Sequence, residues 1–218
     1  LEKACTAAAQ GGNSKLLRGL LIAGASTEYR DADNDQNIHG GALKGNTDVI
    51  QVLLDYGANI DSRGNNDMTP LHWAASFGMF GATRFLLDNG AKYDLKDSDG
   101  RTALHYAVVE NHLDIVCELV DRGGNKDIED DGELTALQYA QLDHRYAIEI
   151  VLDNERVSPL DPNVSNVLLT AIENGNVNVV SNLLKRGAKI EIKNETQETP
   201  FQIASRFPQT QKQKYFQK

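Results

Sequence analysis

The sequence is poor in basic residues and has no long apolar run, and these two shortages exclude several classes of function. Only 22 of its 218 residues are Lys or Arg, against 31 Asp or Glu, which gives a formal net charge of -9. Duplex nucleic acid and anionic membranes both require a dense cationic face, so we expect neither as a partner. No apolar stretch approaches the roughly 20 residues that span a bilayer, and the N-terminus lacks the profile of a signal peptide. We therefore expect an intracellular, cytoplasmic chain, with the nucleus as an alternative, that is monomeric and not inserted in a membrane.

Cysteine is nearly absent, and the two that occur do not suggest a disulfide framework. A chain of this size does not need stapling, so Cys5 and Cys117 are more typical of a reducing compartment. The repeat register described below separates them by three repeats, which is too far for a bridge because adjacent packed helices already lie about 8 to 10 Å apart.

The motifs of catalysis and cofactor binding are also missing. There is no phosphate-binding Gly-rich loop, no Cys or Ser nucleophile beside a usable His, and no zinc-protease His pair. The acidic run from Asp31 to Asp35 resembles the start of a calcium loop, but Gln36 stands where that loop needs Gly and Ala42 where it needs Glu. We expect no catalytic residues, no metal and no cofactor.

What the sequence does contain is an internal repeat. The hexapeptide Thr69-Pro70-Leu71-His72-Trp73-Ala74 returns 33 residues later from Thr102 and again from Thr135. The same step leads back to weaker copies at 36 and 3 and forward, after a step of 31, to copies at 166 and 199. A second landmark, Gly-Ala or Gly-Gly, follows each start by 21 residues, as at Gly57-Ala58 and Gly90-Ala91, except in the fifth repeat. We interpret the fifth repeat as degenerate.

These motifs resemble the ankyrin repeat family, whose 33-residue unit carries Thr-Pro-Leu-His-x-Ala followed by two helices and a Gly-Ala turn. The resemblance implies an all-α solenoid of stacked helix-turn-helix units with short β-hairpin fingers between them. It covers residues 1–207 as six full repeats and a partial seventh, and leaves residues 208–218 as a polar, basic tail or linker. Because the chain begins at Leu1, inside the first repeat, we expect it to be the ankyrin module of a larger protein.

The repeat positions predict which residues are buried. Thr69 is placed to cap a helix whose first residue is Pro70, where the missing N–H of proline costs nothing. The Leu and Ala rows that follow are spaced three apart and face the neighbouring helices, so we expect both to be core: Leu71, Leu104, Leu137, Leu168, Ala74, Ala107, Ala140 and Ala171. His39, His72 and His105 recur every 33 residues instead of gathering, which indicates buried histidines bonded near the fingers and no metal site.

The position after the histidine predicts a binding surface. It reads Gly40, Trp73, Tyr106 and Tyr139 in consecutive repeats, and the family resemblance places this row toward the concave groove. Trp and Tyr are common hot-spot residues at interfaces, although the rings could instead pack against their own fingers. Other expected groove residues surround the row and are apolar with an acidic rim: Phe77, Met68, Arg101, Glu110, Leu134, Asp143, Asp99 and Asp131.

We therefore interpret the chain as a non-catalytic scaffold whose groove binds another protein or peptide, one that has basic character. Two alternatives stay open at this stage. Some ankyrin domains read histone tails or modified lysines, and Trp73, Tyr106, Glu110 and Asp143 could supply such a cage. The chain could also be the regulatory arm of a membrane protein or of a microbial effector.

Overall fold

A computed structural model describes residues 1–153, 162–188, 193, 197–199 and 202–203. This part of the chain holds helices only, arranged as antiparallel pairs, with a 3-10 turn at Asn65–Asp67. The first helices of the six pairs are α1 Glu2–Gln10, α3 Asn37–Leu43, α5 Pro70–Ser76, α7 Ala103–Val109, α9 Ala136–Leu142 and α11 Pro162–Glu173. The second helices are α2 Ser14–Ile22, α4 Thr47–Asp55, α6 Phe80–Asp88, α8 Leu113–Asp121, α10 Tyr146–Leu152 and α12 Val177–Lys185. Most of the predicted partial seventh repeat and the whole tail lie outside the described residues. None of the helices in the described part is long and apolar enough to cross a membrane.

The first helices pack side by side in one layer, in the order α1, α3, α5, α7 and α9. The second helices form the other layer, in which α2, α4, α6, α8 and α10 follow one another. Of the predicted core rows, all four alanines and Leu71, Leu104 and Leu168 are buried, as expected. Leu137 was predicted to be core and is only partly buried. The predicted stack of helix pairs is confirmed through α9 and α10.

The regular stacking changes after the fifth repeat. Helix α10 has 7 residues where the other second helices have 9, and α11 packs against α10 while α12 packs against α8. Asp121 at the end of α8 holds α12 in place, because its carboxylate accepts hydrogen bonds from Asn182 Nδ2 at 2.6 Å and Lys185 Nζ at 2.9 Å. Leu137 is partly exposed because α11 packs against α10 and does not continue the row beyond α9.

Tight turns join the repeats where β-hairpins were expected. We call residues 30–36, 63–69, 96–102 and 129–135 the finger turns. The described residues show two isolated antiparallel bridges in them, Arg30 with Gln36 and Glu129 with Thr135, and no longer strand. Longer strands do not form because each finger turn closes within a few residues. In the third one the Asp97 N–H donates to the carbonyl of Arg101, only four residues later. The Oδ1 atom of Asp31 likewise accepts the amides of residues 33 and 35, which accounts for the acidic run that resembles a calcium loop.

The three repeat histidines link each repeat to the next finger turn or to the residue just before it. His39, His72 and His105 are each 1% exposed. Nδ1 of His105 accepts the backbone N–H of Thr102 at 3.1 Å, so the neutral ring carries its proton on Nε2, which donates to the carbonyl of Leu134 at 3.2 Å. His72 makes the equivalent bond to the carbonyl of Arg101, whereas His39 bonds the carbonyl of Ser62, immediately before the second finger turn. The predicted buried histidines, bonded near the fingers, are confirmed.

Burial lowers the pKa of all three histidines, because the charged imidazolium is poorly solvated there. Protonation would also place a proton on Nδ1, where the backbone N–H already donates. Below a pH of about 6.5, the pKa of an unperturbed histidine, the unfolded chain therefore binds more protons than the folded chain. The contribution of these residues to stability is complete above that pH and is lost as the pH falls below it.

We predict that His105→Gln makes the free energy of unfolding less sensitive to acid. Glutamine is compatible with this position, because Gln138 in the fifth repeat accepts the N–H of Thr135 through Oε1 at 2.7 Å. Between pH 7.5 and 5.5 the native chain should lose about 1 kcal/mol more than the variant, measured by urea denaturation at both pH values. His144→Gln, in an exposed turn, is the control and should leave the difference unchanged. Equal acid sensitivity of His105→Gln and the native chain would contradict the prediction.

Candidate partner-binding groove

The predicted aromatic row lies along successive first helices. The ring of Tyr106 packs edge-on against His72 of the preceding repeat, with centroids 5.9 Å apart, and Tyr139 packs in the same way against His105 at 6.2 Å. Trp73 stands one repeat earlier on α5 and packs on Phe77, the residue that follows this helix, with ring centroids 5.7 Å apart. The three rings thus occupy equivalent places in adjacent repeats.

The two tyrosines are tied to their own finger turns. Tyr106 donates its hydroxyl to Asp97 Oδ2 at 2.6 Å, and Tyr139 donates to Asp130 Oδ2 at 2.6 Å. Burial and the neighbouring carboxylate raise the pKa of Tyr106, and the hydrogen bond to Asp130 raises that of Tyr139. Both phenols therefore stay protonated as donors, and only their ring faces remain available to a partner.

Arg101 completes the network in the fifth repeat. Its Nε lies 3.3 Å from Asp130 Oδ2, its Nη2 donates to the Tyr139 hydroxyl at 3.1 Å, and its guanidinium lies 5.6 Å from the centre of that ring. Burial alone would raise the pKa of Asp130, but the hydrogen bonds from Tyr139, from backbone amides and from Arg101 outweigh it, and the pKa is lowered. The guanidinium of Arg101 thus neutralises the buried carboxylate of Asp130.

Trp73 lacks the equivalent anchor. In each tyrosine repeat the aspartate stands nine residues before the ring, but nine residues before Trp73 is Gly64. A side chain at Gly64 has no room, because a Cβ there would lie 1.9 Å from Asp35 Oδ1 of the preceding finger turn. The indole Nε1 of Trp73 is buried and has no hydrogen-bond partner. The third repeat therefore carries a ring that is not fastened to its own finger.

The remaining predicted groove residues divide by exposure. Phe77 is 48% exposed, whereas Met68 is 6% exposed and offers almost no surface to a partner. Arg101 and Leu134 are half-buried. Four acidic residues are exposed: Asp99, Glu110, Asp131 and Asp143.

The acidic rim is poorly neutralised. Within the described residues, the side chains of Asp99, Glu110 and Asp131 have neither a hydrogen bond nor an ion pair, while Asp143 pairs with Arg145 at 3.1 Å. Unpaired carboxylates beside exposed aromatic rings attract cationic groups. The same described residues hold no cluster of three His, Cys, Asp or Glu side chains placed to share a metal ion.

Sequence reasoning identified the rings but missed that Asp97 and Asp130 hold the two tyrosines. Asp97 and Asp130 are 8% and 7% exposed, and both were part of loops that looked uniformly acidic. A usable signal existed, because the nine-residue spacing from Asp to Tyr occurs in two consecutive repeats. The sequence also allowed the rings to pack against their own fingers, and the hydroxyls of Tyr106 and Tyr139 do bond to their own finger turns.

The helices form pairs in two adjacent layers, and the turns recur every 33 residues. This arrangement defines a helical repeat solenoid. The family model described as ankyrin repeats (3 copies) matches residues 5–97 and 92–166. The chain belongs to the ankyrin repeat family, whose members are generally protein–protein interaction modules. A search of curated proteins finds no match to the chain.

We predict that removing one phenol hydroxyl lowers the stability of the domain without changing its structure. Tyr106→Phe deletes the hydrogen bond to Asp97 and should lower the free energy of unfolding by about 1 kcal/mol. Tyr56→Phe is a matched control, because the Tyr56 hydroxyl has no hydrogen bond in the described residues and Phe keeps the ring beside Arg18. Urea denaturation of the three proteins, with circular dichroism as the signal, measures the difference. A loss in Tyr56→Phe as large as that in Tyr106→Phe would contradict this role for the phenol.

Proposed function

We propose that this ankyrin domain is a non-catalytic scaffold that binds an extended or helical basic peptide along the edge of α5, α7 and α9. The observation that carries the proposal is the pairing of Trp73 on α5 with Phe77, the residue after that helix, near a rim of unpaired carboxylates. The rings supply apolar contact area, and the carboxylates select for Lys or Arg in the partner.

The contact surface divides into an apolar centre and an acidic edge. Phe77 is one of the few large apolar side chains that the described residues expose, and Trp73 beneath it is partly buried. Glu110 and Asp99 lie in the next repeat, at the end of α7 and in its finger turn. A peptide lying across these repeats would place an apolar side chain on Phe77 and a basic one against Glu110 or Asp99.

Tyr106 and Tyr139 contribute to this surface in a different way from Trp73. Their hydroxyls are already bonded within the domain, so they offer a rigid ring face and no free hydroxyl hydrogen. A rigid ring has little entropy to lose when a partner covers it. We assign the tyrosines to shaping the groove and the Trp73–Phe77 pair to most of the binding energy.

The test is selection of peptides from a displayed random library on the purified chain. We expect the enriched peptides to contain Lys or Arg and to bind more weakly as NaCl is raised from 50 to 500 mM, because screening weakens exposed charge pairs. Affinities are then measured by fluorescence anisotropy. Trp73→Ala and Phe77→Ala should each weaken binding by about 30-fold, the effect of a hot-spot residue worth about 2 kcal/mol.

The control variant is Tyr56→Ala, which removes an exposed ring at the end of α4, in the other helix layer. It should leave the affinity unchanged, and circular dichroism should show the same helix content in all variants. Peptides that tolerate Trp73→Ala and Phe77→Ala but fail on Tyr56→Ala would place the binding surface on the other layer. Including methylated and unmethylated lysine peptides in the anisotropy series tests the reader hypothesis, which predicts tighter binding of the methylated forms.

A further inference from the structure

A cavity of about 190 Å³ lies where the second repeat lacks a ring, between α1, α3 and the first finger turn. Among the residues that line it are Asp31, Asn37, Gly40 and Trp73. Pockets for drug-sized ligands generally exceed about 300 Å³, so this volume is suited to a single side chain. We call it the Gly40 cavity.

The cavity exists because Gly40 occupies the ring position. The later repeats carry Trp73, Tyr106 and Tyr139 there, one on each first helix. A Cβ built on Gly40 meets only Gln10 Cγ, at 3.4 Å, which is ordinary contact. The space that a tyrosine ring fills in the fourth and fifth repeats is therefore open in the second.

The missing tyrosine also leaves a carboxylate without its donor. Asp31 stands nine residues before Gly40, as Asp97 does before Tyr106 and Asp130 before Tyr139. Its Oδ1 accepts two backbone amides at 3.0 Å, as the Oδ1 atoms of Asp97 and Asp130 do in their own finger turns. Its Oδ2, which accepts the phenol in the complete repeats, has no hydrogen bond or ion pair in the described part of the chain.

The fifth repeat shows what such an aspartate can bind. Asp130 Oδ2 receives both the Tyr139 hydroxyl and the guanidinium of Arg101. The residue equivalent to Arg101 for the second repeat is Glu2, which cannot donate and accepts the N–H of Ser26 instead. In the second repeat the equivalent aspartate therefore has neither partner within the chain.

A buried amide oxygen near the Asp31 carboxylate indicates that the cavity takes an occupant that donates hydrogen bonds. Asn37 is 3% exposed, and neither atom of its side-chain amide has a hydrogen-bond partner. A buried polar group without a partner costs about 1–3 kcal/mol. A planar guanidinium has five N–H donors for these oxygens and can stack on an indole, whereas an ammonium is a compact charge with three donors.

We propose that the Gly40 cavity is an anchor site for an arginine side chain of the bound peptide, with its guanidinium donating to Asp31 Oδ2 and to the Asn37 amide oxygen. This inference rests on the proposed function, because the arginine comes from the groove-bound partner. The arginine takes the place that a tyrosine holds in the complete repeats.

The direct test is an NMR titration of the whole chain with N-acetyl-arginine methylamide. The Asn37 side-chain NH2 and the Trp73 indole N–H report on the cavity. We expect their shifts to move and saturate in the millimolar range, with N-acetyl-lysine methylamide at least fivefold weaker and the neutral citrulline analogue without effect. Equal responses to arginine and citrulline, or shifts confined to other parts of the chain, would overturn the proposal. An absence of shifts would identify the cavity as a water-filled notch and overturn it as well.

Two variants separate the cavity from general changes in the fold. Asn37→Ala removes the amide and is compatible with the fold, because Ala103 and Ala136 occupy the same helix position in later repeats. Gly40→Tyr fills the cavity with the ring that those repeats carry. Both should abolish the arginine response, while Gly19→Ala, at an open site on α2, should retain it. Native-like arginine binding by Gly40→Tyr would overturn the assignment.

The selected peptides distinguish failure of the anchor from failure of the groove. If both proposals hold, replacing one arginine in a peptide and making Gly40→Tyr should each weaken binding by about tenfold, without additive effect. Peptides that depend on Trp73 and Phe77 but bind Gly40→Tyr normally would overturn the anchor and leave the groove intact. Peptides that depend on neither ring would overturn the groove, whatever the free arginine derivative does.

Discussion

Each repeat depends on its neighbour for the burial of both its apolar and its polar groups. The helix pairs cover one another's apolar faces, and the histidine of one repeat donates to a backbone carbonyl of the following finger turn. These two requirements act at the same interface, so the stacking that buries Leu71 and Ala74 also supplies the bond to His72. Stability in such a chain is a sum over interfaces between neighbours. Phe77, 48% exposed after the end of α5, takes no part in either requirement.

The sequence was sufficient to predict the stack and its buried rows, because the 33-residue period places the same residue types at every interface. It predicted the histidine bonds for the same reason. It did not predict that the stacking changes after the fifth repeat, since contacts such as those of Asn182 and Lys185 with Asp121 join residues more than 60 positions apart. Leu137 matches the core pattern, but α11 does not pack beside α9. Leu137 is therefore only partly buried although the pattern predicts a core residue.

The candidate site was partly predictable. The aromatic row is visible in the sequence, but the fastening of Tyr106 and Tyr139 to Asp97 and Asp130 depends on how the finger turns fold back over the first helices. The Gly40 cavity arises where the sequence has glycine in place of a ring. Its significance is visible only from the structure of the neighbouring repeats, which shows what such a ring contacts. Met68 was expected in the groove because of its position and is covered in the structure, where its backbone carbonyl closes the second finger turn.

The contact of Asp35 with Gly64 means that the repeats of this chain are not interchangeable units. Asp35 fits against the next finger turn only because that turn has glycine at position 64, and Arg101, at the equivalent place two repeats later, instead meets the carboxylate of Asp130. Both pairs join residues 29 positions apart, so each finger matches one successor by shape or by charge. Deleting residues 36–68 would bring Asp35 against Asp97, and exchanging that unit with the next one would bring Arg101 against Gly64. The serial order of the modules is thus encoded at their junctions, in addition to the shared core that makes them look alike.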